Sequence, residues 1–335
     1  MTTTSTPTKA RFTTSFATAA LLLAGVAIAA SVTTAQEAYP NRVIKIVVPF
    51  AAGTTADQIP RLIGDKLTAK WGQPIVVENR PGATGNIGAE IVAKAAPDGY
   101  TLLSTAAPPL AINQSLDPNL KFDPAAFVPI SLMTLVPNVL VVSPKLNVKS
   151  LQEFLALAKS KPGELTYVST GPGGTPTLAM ELLKLKSGTS IRDIPYRQGT
   201  GPGLIDVLGG RIDAMFINVS EAMSHIKGGG VTALGISTDK RIPQLPDVPA
   251  IAEIFPGFYS STWYAMVAPP KTPADIAQKL SAAVLEVLRM PDIAEKFTAQ
   301  SMILMGTSQS DTEKFIKNEV ERWREVIKAA GLKAN

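Results

Sequence analysis

The sequence predicts an α/β fold in two lobes, with parallel sheets covered by helices, and three observations carry that expectation. Runs rich in Val and Ile alternate with helical patterns, at residues 43–50, 75–78, 100–104, 139–143, 165–169, 214–219 and 233–237. Such alternation belongs to parallel strands joined by helical crossovers. The chain has 335 residues, more than one hydrophobic core usually serves, and domains run to about 150 residues each. Two short apolar strands, 139–143 before Pro144 and 263–268 before Pro269-Pro270, stand where the chain would pass between lobes. They give a discontinuous first lobe, 39–141 plus 264–335, and a second lobe inserted into it, 142–263.

The first residues read as an address. Lys9 and Arg11 precede an apolar run at 17–30 and a small-residue stretch, Thr33-Thr34-Ala35, which is the order of a secretory signal peptide cleaved near Ala35. The run is shorter than the ~20 residues that cross a bilayer, and later apolar stretches are broken by charges, Pro or Gly. A twin-arginine pair and a lipidated Cys are both missing, which favours the general secretory route and a free periplasmic product. The net charge of +5 includes Lys9 and Arg11, and charged residues, 18% of the chain, are spread along it. No nucleic-acid arm or polybasic membrane patch results. With no cysteine, disulfides, thiolate nucleophiles and Cys-ligated zinc are excluded together.

Helix starts are legible. Ser150 with Glu153 and Ser310 with Glu313 fit the S-x-x-E capping box, and Thr272-Pro273 offers an N-cap with a first-turn proline. Ile316, Val320, Trp323 and Ile327 follow a helical period, which makes Trp323 a core residue. Asp57 reads as a helix-start cap.

Four times a predicted strand runs into a loop of small residues that opens a helix: 51–57, 81–85, 105–108 and 170–175. There, backbone N–H groups can approach an anion and the following helix adds its positive end. A P-loop is not among them, since the glycine-rich loops lack its lysine. Catalytic patterns are thin. His225 is the one histidine, so a histidine metal cluster cannot form, and its setting before Ile226-Lys227-Gly228 is that of a helix end. No G-x-S-x-G elbow occurs, and Ser237-Thr238-Asp239-Lys240 matches S-x-x-K without its companion motifs. Neither an enzyme nor a bound cofactor is expected.

Several segments together resemble a known family: Tyr39-Pro40-Asn41-Arg42, Val47-Val48-Pro49-Phe50-Ala51-Ala52-Gly53, Val77-Glu78-Asn79-Arg80-Pro81-Gly82-Ala83, Pro97-Asp98-Gly99-Tyr100 and Pro195-Tyr196-Arg197. Leu208-Gly209-Gly210, Leu245-Pro246-Asp247-Val248-Pro249, Trp263 and Lys328-Ala329-Ala330-Gly331 extend the likeness over nearly the whole mature chain. It is similar to the solute receptors of tripartite tricarboxylate transporters, the Bug family. The resemblance implies a type II periplasmic-binding-protein fold, two lobes closing by a hinge over one small carboxylate, and no catalytic residues. It also implies a monomer that serves a membrane permease of one large and one small subunit. The ligand would be a mono- or dicarboxylate, aliphatic or aromatic, with terephthalate, citrate and acidic amino acids all open. A receptor that docks on a periplasmic signalling partner is the alternative.

Family members hold the carboxylate mainly through backbone N–H groups and water. On this chain that implies Ala52, Gly53, Thr54 and Thr105 from one lobe, and Thr170, Gly174 and Thr175 from the other, with Asn218 beside them. Arg197 either pairs with the distal carboxylate of a diacid or is a solvated lobe-edge residue. Thr54, Thr177 and Asp193 depart from the family's usual glycine and histidines, which bears on ligand identity and not on the fold.

Overall fold

A computed structural model describes residues 1–7, 39–196 and 199–333. The signal-peptide segment falls largely outside these residues, as does Arg197. The chain divides into two units, Met1–Asn41 and Arg42–Asn335; the first has no regular element among its described residues, and everything below concerns the second.

Three strands, β1 (Ile44–Val48), β2 (Ile75–Asn79) and β3 (Thr101–Ala106), run parallel in the order β2-β1-β3. Helices α1 (Thr55–Trp71) and α2 (Asn86–Ala93) supply the crossovers. After a short helix α3 (Asn113–Leu116) comes β4 (Val128–Val142), a single strand of 15 residues. The second sheet region adds α4 (Leu151–Ser160), β5 (Thr166–Ser169), α5 (Thr175–Ser187), β6 (Arg192–Pro195), α6 (Thr200–Leu208), β7 (Ala214–Asn218), α7 (Val219–Lys227) and β8 (Thr232–Ile236). The chain then returns through β9 (Ser261–Ala268) to α8 (Ala274–Leu288), α9 (Pro291–Ala299), β10 (Ile303–Leu304) and α10 (Gln309–Ala330).

β4 ties the two regions together. From Val128 to Pro137 it pairs antiparallel with β9, which itself pairs with β3. From Asn138 to Val142 it pairs with β7 and β8. The change of partner falls directly after Pro137, a residue with no N–H to give to either ladder. On the return path, the Ser260 amide donates to Ser237 O in the second region at 2.8 Å, whereas Ser261 already pairs with Pro137 in the first. The changes of sheet fall at Pro137–Asn138 and Ser260–Ser261; the lobe limits expected from the sequence are 141/142 and 263/264.

Each region has its own core. The first gathers Leu103, Leu110, Trp263 and Trp323, with Leu178 of α5 packed among them. The second gathers Phe154, Tyr167, Phe216 and Phe258 on one side of its sheet, and Val139, Val141, Ile217 and Ile236 on the other. Trp323 is fully buried, as its helical period predicts. Its indole and that of Trp263 both donate to Glu319, at 3.1 and 2.8 Å, and Arg322 adds a third bond at 2.8 Å. A buried carboxylate is tolerable only when its lone pairs are met in this way.

Ser150 accepts from the Glu153 amide at 3.2 Å and caps α4 as expected. Two other caps differ. Ser308, not Ser310, caps α10 by accepting from Asp311 N at 3.1 Å. Thr272 does not cap α8: its hydroxyl donates to Pro269 O at 2.8 Å and closes the preceding turn, leaving Pro273 at the N-cap position.

Candidate functional site

A cavity of ≈ 560 Å³ opens where loops of the two regions face each other. The starts of α1, α2, α5, α6 and α7 reach it through Thr55, Gly85, Thr175, Thr200 and Asn218. Helix starts carry unsatisfied N–H groups and a partial positive charge. Among the described residues lining the cavity none is Lys or Arg, and Glu221 is the one charged side chain. Phe50 and Tyr264 give it aromatic surface.

The loop between β1 and α1 is largely self-satisfied. Gly53, at φ +80°, donates its amide to Asp57 Oδ2 at 2.9 Å. Asn79 Nδ2 and Arg61 Nε reach Asp57 Oδ1 at 2.9 and 3.0 Å. The Thr54 hydroxyl donates to Ala51 O at 2.7 Å, and Gln58 Nε2 to Gly53 O at 3.1 Å. Burial pushes the Asp57 carboxyl up, but the Arg61 guanidinium, the Gly53 amide and the Asn79 amide outweigh it and hold the group below its ordinary value. Asp57 thus secures the helix start, as its position suggests.

Thr54 lines the cavity; Ala52 and Gly53 do not. The Gly53 amide, expected to meet a ligand, is bonded to Asp57 in this structure. Thr105 is placed differently from the expectation. It is fully buried, and Ala106 lines the cavity in its place, because successive residues of β3 point to opposite faces.

The 81–85 loop was visible in the sequence, yet none of its residues was assigned a role. Gly82, Ala83, Thr84 and Gly85 all have positive φ, from 47° at Ala83 to 135° at Gly82, and all line the cavity. Two non-glycine residues in that region carry strain that surrounding structure must hold. Asn113 Nδ2 does part of this, donating to Thr84 O at 3.1 Å and Asn86 Oδ1 at 2.6 Å.

Facing it, the loop from β5 to α5 brings Thr170, Gly174 and Thr175 to the cavity. A Cβ on Gly174 would lie 2.0 Å from Thr170 Oγ1, so only glycine fits. Thr177 accepts from the Thr170 amide at 2.9 Å and fixes the loop from behind. Gly173 sits so close to the opposite lobe that a Cβ would meet Asn113 Oδ1 at 2.8 Å and Thr84 Cγ2 at 3.4 Å. The lobes meet there.

The floor comes from β7, α7 and β9. Asn218 Nδ2 donates to Glu221 Oε1 at 2.9 Å, and the Thr200 hydroxyl to Glu221 Oε2. The Tyr264 hydroxyl lies beside the Asn218 and Thr55 side chains; burial, and then the charge of Glu221, push this phenol up. Asn218 Oδ1 and Thr262 Oγ1 are buried with no hydrogen-bond partner among the described residues. Sequence reasoning missed Glu221, Thr262, Tyr264 and Thr200. For Glu221 a signal existed, since Asn218-x-x-Glu221 has capping-box spacing.

Other candidates carry less. His225 lies in the last turn of α7. Ser237 holds strands together, accepting from Asn138 N at 3.0 Å and donating to Ser260 O. Among the described residues no group of three or more His, Cys, Asp or Glu is placed to hold a metal, and no helix is long and apolar enough to cross a membrane. A second cavity of ≈ 260 Å³ beside α10 has rim charges that pair with each other, Glu313 with Lys317 and Glu321 with Arg324.

A family model described as the tripartite tricarboxylate transporter family receptor matches residues 59–332. Protein BugT of Bordetella pertussis is 37% identical over 93% of this chain and 96% of its own. A structure from R. palustris with adipate superposes with a TM-score of 0.82 at 33% identity, covering 89% of this chain and 100% of that one. MatC from Rhodopseudomonas palustris with bound malate gives a TM-score of 0.78 at 32% identity, over 86% and 100%.

Proposed function

From the premise that this chain belongs to the tripartite tricarboxylate transporter family of solute-binding receptors, with their two-lobed periplasmic-binding-protein fold and without catalysis, we propose that it captures a small carboxylate in the cleft between its lobes. The ligand is a mono- or dicarboxylate. The protein works in the periplasm as a monomer, after cleavage of a signal peptide near Ala35, and delivers its ligand to an integral-membrane permease of one large and one small subunit. The lobes divide where β4 and β9 change sheets.

One observation carries this reading: the starts of five helices meet at a cavity whose described lining includes no cation. Converging N–H groups and dipole ends are suited to an anion of one or two charges that must later be released. Thr54, Thr170, Gly174, Thr175 and Asn218 stand at these helix starts. Relatives solved with adipate and malate agree with a carboxylate of modest size.

The test is a thermal-shift screen of the ligand-stripped protein. The panel holds succinate, glutarate and adipate, the 2-hydroxy and 2-amino derivative of each, benzoate and terephthalate, with sugars and divalent cations as controls. A ligand at 100 times its Kd stabilises by about 2.7 kcal/mol. Hits confined to the controls would overturn the proposal.

A further inference from the structure

Asn218 occupies the N-cap of α7, yet its side chain makes no cap bond. Asn is favoured at that position because its oxygen accepts from the first-turn amides. Here the amide nitrogen is committed to Glu221 Oε1, which fixes the side-chain orientation, since a carboxylate can only accept. Oδ1 is thereby left without a donor in a residue only 7% exposed. Thr262, 6% exposed, lines the same cavity with its hydroxyl unpartnered. Buried polar atoms are nearly always hydrogen-bonded, so two orphans on residues that line one cavity point to groups that a ligand brings.

Their chemistry is specific. Asn218 Oδ1 and the Glu221 carboxylate accept and cannot donate, while Thr262 can do either. Each Glu221 oxygen takes one bond, from Asn218 and from Thr200, and retains a further lone pair. A ligand carboxylate in this corner would meet a like charge; an N–H or O–H donor would be matched.

We propose that the corner formed by Asn218, Glu221 and Thr262 receives a hydrogen-bond-donating substituent, so that the solute is an amino- or hydroxy-substituted carboxylic acid rather than a plain mono- or dicarboxylate. This rests on the carboxylate reading above and assigns the acid group itself to the starts of α1, α2 and α5, away from Glu221. The ammonium form is preferred to the hydroxyl, because its bond to Glu221 is charge-assisted.

Calorimetry on the mature protein with the three acid series of the panel tests this, since each series differs only by H, OH or NH₃⁺ at one carbon. In at least one series the amino acid binds about tenfold or more tighter than the parent diacid, with the hydroxy acid between them. Glu221→Gln lowers the amino-to-parent affinity ratio about tenfold and leaves the parent acid bound as well or better. Thr262→Val lowers the same ratio by a few fold and serves if Glu221→Gln does not fold. Parent acids that bind as tightly as their derivatives, or binding confined to benzoate or terephthalate, would overturn this inference and leave the carboxylate reading intact. Failure of every acid to bind the folded protein would remove both.

Discussion

Two polar regions face the same cleft and differ in what they have left to give. In the first-lobe loop before α1, the Gly53 amide, the Thr54 hydroxyl and the Gln58 amide are all bonded within the loop and its helix. On the floor, Asn218 Oδ1 and Thr262 Oγ1 have no partner among the described residues. The loop looks like a ligand cradle in the sequence, yet most of its capacity maintains its own shape. The floor looks like ordinary strand, yet it holds unmet polar atoms. Changes in the loop should therefore register as stability, and changes where a ligand or the opposite lobe is met should register as affinity.

The largest effect is expected at the anchor of the loop. Asp57→Ala leaves the Gly53 amide, Asn79 and Arg61 without their acceptor and should cost about 2 kcal/mol in denaturant unfolding. Affinity for the tightest-binding acid of the panel should stay within about threefold. A large loss of affinity at unchanged stability would erase the contrast.

Gly173→Ala probes the other side. Its Cβ would lie 2.8 Å from Asn113 Oδ1, an oxygen whose amide is tied to Thr84 and Asn86, so the lobes must part by tenths of an ångström. Overpacking of this kind costs upward of ~1 kcal/mol. Calorimetry should show affinity about tenfold weaker, while ligand-free melting stays the same.

Gly53→Ala is smaller and reversed in kind. The space beside Gly53 is open, but its φ is +80°, and an L-residue there loses about 1 kcal/mol. Stability should fall by that amount with affinity unchanged; the opposite pattern would make Gly53 a ligand contact.

The smallest effect is a pH dependence. The Asp57 carboxyl titrates lower in the folded protein than its ordinary 3.8. Its stabilisation is therefore present in full above that value and is lost as pH falls through the lower, folded one. Wild type and Asp57→Asn, melted in steps from pH 7 downward, should differ most near neutrality and converge below about pH 4. A gap that widened on acidification would contradict the bonding around Asp57.

The same contrast explains what the sequence could show. Alternation of strands and helices, and small-residue loops at strand ends, are local properties, so the α/β class and the loops at 51–57, 81–85 and 170–175 were legible. Which amide in a loop is already bonded depends on a partner such as Asp57, four residues on and buried against Asn79 of another strand. That is tertiary information. Thr262 and Tyr264 share one face of β9, while Trp263 points the other way to Glu319. Period two tells that these faces differ, but not which one meets the cleft. Only 139–143 was legible as strand, whereas β4 begins at Val128; Pro137 is tolerated inside it where the strand changes partners.

That passage has a mechanical consequence. β4 and β9 run side by side, antiparallel and bonded to each other from Val128 to Pro137, and the chain leaves that ladder for the second region at two points, after Pro137 and at Ser260. With so few strand passages between the regions, a closing motion is expected to bend the chain at Pro137–Asn138 and Ser260–Ser261. Leu178 of α5, packed in the core of the first region, is a further contact that such a motion must keep or break. Fewer directions of approach for the two walls would leave less disorder for the solute to remove on binding.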